Sequence, residues 1–98
     1  MNASTIAVAL TQVLDPELGI DIVALGLLYG IAADDETVRV QMTMTTPNCP
    51  MATAIAQMTA ARLSSIADGR TVELEVVEDP PWNVAMLDAT ARQRLGIS

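Results

Sequence analysis

The chain has 98 residues, enough for one compact domain and too few for two, so a single domain over residues 1–98 is expected. Apolar residues make up 51% of it, with one Trp, one Tyr and no Phe, which predicts an aliphatic core. The formal net charge is −7 at pH 7. A surface with this charge repels phosphate backbones and anionic lipids, so neither nucleic acid nor a membrane is expected as a partner.

A first helix is predicted over residues 4–14. Its apolar side chains recur at helical spacing: Ile6, Ala9, Leu10, Val13 and Leu14. Ser4 or Thr5 is suited to cap the helix, and Pro16 ends it. Residues 15–19 (Asp-Pro-Glu-Leu-Gly) then have the composition of a turn.

Two strands are predicted next, over residues 27–32 and 38–45, joined by the polar turn 34–36. The second strand alternates strictly between apolar and polar side chains. Its inward positions are Val38, Val40, Met42 and Met44, and its outward positions are Arg39, Gln41, Thr43 and Thr45. A period of two indicates a half-buried strand, so the pair is predicted to form a hairpin.

A tight loop over residues 46–50 (Thr-Pro-Asn-Cys-Pro) is predicted to lead into a second helix that ends near Ala67. Asn48 is the expected cap, and Pro50 suits the first turn. The predicted buried stripe is Ala52, Ile55, Ala56, Thr59, Leu63 and Ile66. Residues 68–69 (Asp-Gly) end the helix.

The last segments predict a strand over residues 71–77 and a final helix. Val72, Leu74 and Val76 are expected to point inward, whereas Glu73 and Glu75 point outward, where Arg39 would neutralise one of them. Residues 79–82 (Asp-Pro-Pro-Trp) break the strand.

Asn83 is expected to cap the final helix, with Gly96 beyond its end. The apolar positions of this helix are Val84, Leu87, Ala91 and Leu95. The resulting order is α-β-β-α-β-α, which predicts an α+β two-layer sandwich with the helices on one face of a small mixed sheet.

The chain has no His and one Cys. A catalytic triad and a self-sufficient zinc site are therefore not expected, and an internal disulfide is excluded. The N-terminus lacks the basic residues of a targeting signal, and the apolar run 22–33 is too short to span a bilayer. A lone cysteine without a secretion signal predicts a reducing, cytoplasmic location.

Cys49 is the first candidate for chemistry. It is expected at or just ahead of a helix N-terminus, where unpaired N–H groups and the helix dipole stabilise a thiolate, the form that binds metal. The Thr45 and Thr46 hydroxyls make the surrounding loop polar. The alternative is a small buried hydrophobe, and the position of Cys49 favours function.

The two acids of the turn at residues 15–19 and the single tryptophan are further candidates, and each allows two interpretations. Asp15 and Glu17 would either cap their own turn, as most turn carboxylates do, or complete a metal site beside Cys49. Trp82 would either shield the cysteine or contact a partner, or it would plug a corner of a core that is poor in aromatic residues.

Four motifs in this order resemble the iron–sulfur cluster assembly family that includes the SufT and PaaD proteins, with its FSCA-type domain. They are residues 15–19 (Asp-Pro-Glu-Leu-Gly), 25–29 (Leu-Gly-Leu-Leu-Tyr), 45–50 (Thr-Thr-Pro-Asn-Cys-Pro) and 79–82 (Asp-Pro-Pro-Trp). The likeness runs from about Val8 to Gly96. It implies an α+β sandwich and a role in maturing or carrying iron–sulfur clusters.

The resemblance also implies roles for single residues. Cys49 would be the functional cysteine, Asp15 and Glu17 the motif acids, and Trp82 the family's Pro-Pro-Trp tryptophan. Two departures are visible: Asn48 stands where the family often has Gly, and the cysteine-rich tail of PaaD-type members is absent before Ser98. The chain is therefore most similar to the minimal SufT-type domain.

Three functions are compatible with these residues. The first is a non-enzymatic cluster carrier or maturation factor that acts on apo-client proteins together with the assembly machinery. Because iron in such clusters takes about four thiolate-type ligands, a transient cluster at Cys49 would need a homodimer, small thiols or partner cysteines. The second is a cluster-free adaptor for apo-targets or the assembly scaffold. The third, a thiol enzyme, is disfavoured because no histidine can serve as its base.

Overall fold

The protein folds around a mixed three-stranded sheet. The computed structural model describes residues 2–46 and 49–97. The helices and strands in chain order are α1 (Ala3–Leu10), β1 (Leu28–Ala33), β2 (Thr37–Met42), α2 (Ala52–Ile66), β3 (Thr71–Val76), a 3₁₀ turn (Val84–Met86) and α3 (Ala89–Leu95). This is the predicted α+β order with one addition, the 3₁₀ turn. No helix in the described part of the chain is long and apolar enough to cross a membrane.

The central strand β2 pairs antiparallel with β1 and parallel with β3, so the sheet order is β1-β2-β3. The inward side chains of β2 and of the residues after it are buried, as the alternation predicted: Val38, Val40, Met42 and Met44. Helix α1 packs against β1 and α2, and α2 packs against β3. The predicted mixed sheet, with helices packed on one face, is thereby confirmed.

The outward face of the sheet carries polar cross-strand pairs. Arg39 lies opposite Glu73 and forms an ion pair with it, which raises the pKa of the Arg39 guanidinium. The Gln41 side-chain amide donates to Glu75 over 3.1 Å. The predicted neutralisation of a β3 glutamate by Arg39 is confirmed. Val76 was expected inside, but it is 45% exposed at the end of β3.

Helix α1 is shorter than predicted, and its cap is Asn2 rather than Ser4 or Thr5. The Asn2 carboxamide oxygen accepts from the Thr5 N–H at 2.9 Å. The helix ends at Leu10, since the chain beyond it turns extended to pair with residues 20–22. Leu14 lies in that extended part and is 48% exposed, so its predicted place in the first helix was wrong.

The predicted C-terminal helix is two separate elements. Asn83 caps only the 3₁₀ turn, by accepting from the Ala85 N–H at 2.8 Å. The Asp88 N–H donates to the Ala24 carbonyl at 2.9 Å, and the Asp88 carboxylate caps α3 through the Ala91 N–H. These bonds hold the chain extended at Leu87, which interrupts the helix.

Gly26 is the point where the 3₁₀ turn meets the segment before β1. Its φ is +76°, and a Cβ at this position would lie 2.2 Å from the Met86 carbonyl oxygen. A Gly26→Ala substitution therefore adds a backbone clash to left-handed strain, and we expect it to lower the free energy of unfolding by about 2 kcal/mol or more. Urea denaturation measures this change.

Gly69→Ala is the matched control. Gly69 also has a positive φ, +85°, but no atom lies within 4 Å of a Cβ built there. Only the backbone strain remains, so the expected loss is roughly 1 kcal/mol. Equal losses for the two variants would contradict the close approach of Met86 to Gly26.

Candidate functional site

Cys49 lies in the connection between β2 and α2. Just beyond β2, the Thr43 N–H donates to the Leu27 carbonyl at 2.8 Å. The chain then bends at Thr45 and Thr46. Thr43 was predicted to point outward, but it lies beyond the end of β2 and is buried. Cys49 itself is half-buried and packs against the edge of the apolar core.

The start of α2 lies directly after this loop. The Cys49 carbonyl accepts from the Ala52 N–H at 3.1 Å, so the cysteine forms the turn that leads into the helix. Met51 is the N-cap residue, and it makes no side-chain capping bond; no acidic residue occupies the first turn. Pro50 thus precedes the helix rather than lying in its first turn, and the expected cap Asn48 falls outside the described residues.

The N-terminus of α2, where the N-cap Met51 makes no side-chain capping bond, is an electrostatic feature of the site. The first-turn N–H groups carry a partial positive charge, and nearby anions are stabilised by it. Cys49 precedes the N-cap Met51 by two positions and remains partly accessible. The cysteine therefore stands in the chain directly before the positive end of the α2 dipole.

Asp15 caps its own turn. Its carboxylate is 3% exposed and accepts from the N–H groups of Glu17 at 2.8 Å and Leu18 at 3.2 Å. Asp21 makes an equivalent turn by accepting from the N–H groups of Val23 and Ala24, a role that was not predicted from the sequence.

The motif acids and the cysteine do not form a preassembled metal site. Glu17 is exposed, and no three His, Cys, Asp or Glu side chains within residues 2–46 and 49–97 are grouped to hold a metal ion. Cys49, Asp15 and Glu17 therefore do not converge as one three-ligand set. Asp15 has the geometry of the capping interpretation.

Trp82 is fixed by a hydrogen bond to the motif before β1. Its indole Nε1–H donates to the Leu25 carbonyl at 2.7 Å, and its half-buried ring packs against the core. Nearby, the Tyr29 hydroxyl donates to the Pro80 carbonyl at 2.7 Å and lies 3.4 Å from the Met86 sulfur. Two of the four sequence motifs, residues 25–29 and 79–82, thus meet in space.

A small cavity, here called the Trp82 pocket, lies beside the cysteine loop. Its volume is about 180 Å³, and its lining residues are Thr43, Met44, Thr45, Thr46, Ala52, Val76, Val77, Glu78, Pro81 and Trp82. The pocket brings together the predicted supporting residues Thr45, Thr46 and Trp82. Thr46 and Ala52 stand on either side of Cys49 in the chain, so the loop that carries the thiol forms part of the pocket rim.

The family model described as "Iron-sulfur cluster assembly protein" matches residues 3–76 of this chain. The chain belongs to this family. The resemblance noted from the four motifs is thereby confirmed. The matched stretch contains Asp15 and Cys49, whereas Trp82 follows it.

Relatives and solved structures of similar proteins agree with this assignment. The chain is 44% identical to the Fe-S protein maturation auxiliary factor SufT of Staphylococcus aureus, over 89% of this chain and 100% of that protein. A domain of unknown function from Bacillus anthracis has the same fold, with a TM-score of 0.89 and 38% identity over 97% of this chain and 92% of the other.

A Mycobacterium tuberculosis protein, described as associated with Fe-S complex assembly and repair, is a more distant structural neighbour. Its TM-score is 0.54 at 29% identity, covering 95% of this chain and 82% of that one. The iron–sulfur assembly description therefore recurs in a relative and in a structural neighbour of this chain.

Substitutions at Asp15 distinguish a turn cap from a dedicated ligand. Asp15→Ala removes the acceptor of two backbone N–H groups, and we expect it to lower the free energy of unfolding by about 1–2 kcal/mol. Asp15→Asn keeps an acceptor oxygen in place and should recover most of that loss. Thermal denaturation of the two variants tests the assignment, which fails if Asn destabilises as much as Ala.

Proposed function

We propose that this chain is an iron–sulfur maturation factor that carries a cluster, or helps to transfer one, to apo-proteins through Cys49. The observation that carries the proposal is the position of its one thiol. Cys49 is partly accessible, and it lies in front of the side-chain-uncapped N-terminus of α2, in a member of the iron–sulfur cluster assembly family. The S. aureus relative is described as a maturation auxiliary factor, which supports the same role.

A single thiolate determines how the cluster would be held. Iron in these clusters takes about four thiolate-type ligands in total, and this chain has one Cys and no His. The remaining ligands would come from a second copy of the chain, from small thiols or from cysteines of a partner. A cluster held in this way is easily passed on, which suits a carrier better than an electron-transfer protein.

The expected partners are the iron–sulfur assembly machinery and apo-client proteins, in the cytoplasm. Catalysis is not part of this proposal, since the chain has no histidine to act as a base for the thiol. Asp15 and Glu17 are proposed as structural and surface residues of the acidic turn, because the Asp15 carboxylate already accepts two backbone N–H groups.

A cluster-free adaptor is the second candidate, and a specific observation favours it. The described residues hold no preassembled group of three metal ligands, whereas the Trp82 pocket offers a surface for a partner beside the cysteine loop. An adaptor would bind its targets equally well with or without the Cys49 sulfur.

Anaerobic reconstitution with iron, sulfide and a small thiol tests the carrier directly. We expect the wild-type protein to develop the visible absorbance of an iron–sulfur cluster. Cys49→Ser should abolish at least nine-tenths of this absorbance, because serine replaces the only thiolate of the chain. The bound iron and sulfide are then measured after desalting.

Met58→Ser is the matched control, since it removes a sulfur atom from a side chain in α2 that is 38% exposed. It should load like the wild type. Full loading of Cys49→Ser would rule the carrier out. Capture of assembly proteins by both wild type and Cys49→Ala, with no metal on either, would identify the adaptor instead.

A further inference from the structure

We propose that the Trp82 pocket receives an arginine side chain of the partner protein that docks at the cysteine loop. The inference rests on the proposed function, since the partner is an assembly protein or apo-client that approaches Cys49. The size, the lining and the charge of the pocket each point to this occupant.

The size of the pocket favours one side chain over a small molecule. Its volume is about 180 Å³, whereas sites for small-molecule ligands are typically about 300–1,000 Å³. A single large residue that anchors a protein interface fits this space, and Arg is among the residues most enriched as such anchors.

The lining suits a long side chain with a polar, cationic end. Met44, Val76, Val77 and Pro81 offer apolar contact to an aliphatic stem. Thr45, Thr46 and the anionic residue Glu78 also line the pocket, and hydroxyls and carboxylates are acceptors for N–H groups. An anionic ligand is disfavoured by this carboxylate.

The charge of the chain strengthens the case, because four of its five arginines make contacts elsewhere. Arg39 pairs with Glu73, while Arg62, Arg70 and Arg92 donate to main-chain carbonyls. Within the described residues no salt bridge neutralises Glu78. The net charge of −7 attracts a basic partner towards this carboxylate.

Trp82 selects arginine over lysine. The guanidinium group is planar, less strongly hydrated than an ammonium group, and stacks on aromatic rings. The indole is held in place by its 2.7 Å bond to the Leu25 carbonyl, so it forms a wall that needs no reordering on binding.

The experiment uses the fluorescence of Trp82, the only tryptophan of the chain, in the cluster-free wild-type protein. The added peptide is acetyl-Gly-Arg-Gly-amide, and its citrulline analogue provides the same shape without the charge. We expect a saturable change with the arginine peptide, weakened by salt, and none with the citrulline peptide. A shift of the single indole N–H resonance provides a second readout.

Two matched variants test whether the carboxylate of Glu78 is the one that binds the arginine peptide. Glu78→Gln should raise the dissociation constant of the arginine peptide about fivefold. Glu36→Gln makes the same change of net charge in the exposed β1–β2 turn, at the far end of β2 from the pocket, and should leave the constant within about twofold.

Three results would overturn the proposal: no saturable change with the wild type, equal binding of the two peptides, or equal weakening by Glu78→Gln and Glu36→Gln. Should Glu78→Gln fail to fold, the comparison of the peptides on the wild type decides alone. Cluster loading of Cys49 is measured separately, so a failure here is distinguishable from a failure of the carrier function.

Discussion

Two long-range hydrogen bonds hold the site of this protein together. The Trp82 indole donates to the Leu25 carbonyl and the Tyr29 hydroxyl donates to the Pro80 carbonyl, each over 2.7 Å. They join segments that are more than fifty residues apart in sequence, so the chain after β3 is fixed against the chain before β1. Trp82 and Pro81 become one wall of the pocket because of this attachment, while the cysteine loop supplies part of its rim.

The charge around the cysteine loop and the presence of one thiol in the chain limit the chemistry of the site. The helix that follows Cys49 has no side-chain cap at its N-cap residue, so the side chain of that residue does not offset the positive end of the helix dipole. One thiolate cannot complete the coordination of an iron–sulfur cluster, and a chain with a net charge of −7 has few cations of its own to offer. In the proposed carrier function, both limits assign the missing ligands and the complementary charge to a partner.

Several parts of this account were readable from the sequence because they depend on neighbouring residues. The period-two alternation around Val40 predicted the buried face of β2, and the Asp-Pro-Glu-Leu-Gly turn predicted the capping geometry of Asp15. The loop-to-helix position of Cys49 follows from the prolines around it. The four motifs, taken together, predicted the family that the comparison confirms.

Other parts depend on contacts between distant segments, which periodicity does not reveal. The split of the C-terminal helix requires the bond from the Asp88 N–H to Ala24, and the exposure of Leu14 requires pairing of its neighbours with residues 20–22. The carbonyl partner of Trp82 and the presence of Glu78 in the pocket are likewise properties of the folded chain.

Native mass spectrometry of protein prepared without oxygen tests the central claim, that Cys49 holds a cluster only together with thiols from outside the chain. The account predicts that every cluster-bearing species contains a second polypeptide or a small-thiol adduct, and that removal of the added thiol releases the cluster from single chains. A cluster held by one chain with no other thiol present would contradict it.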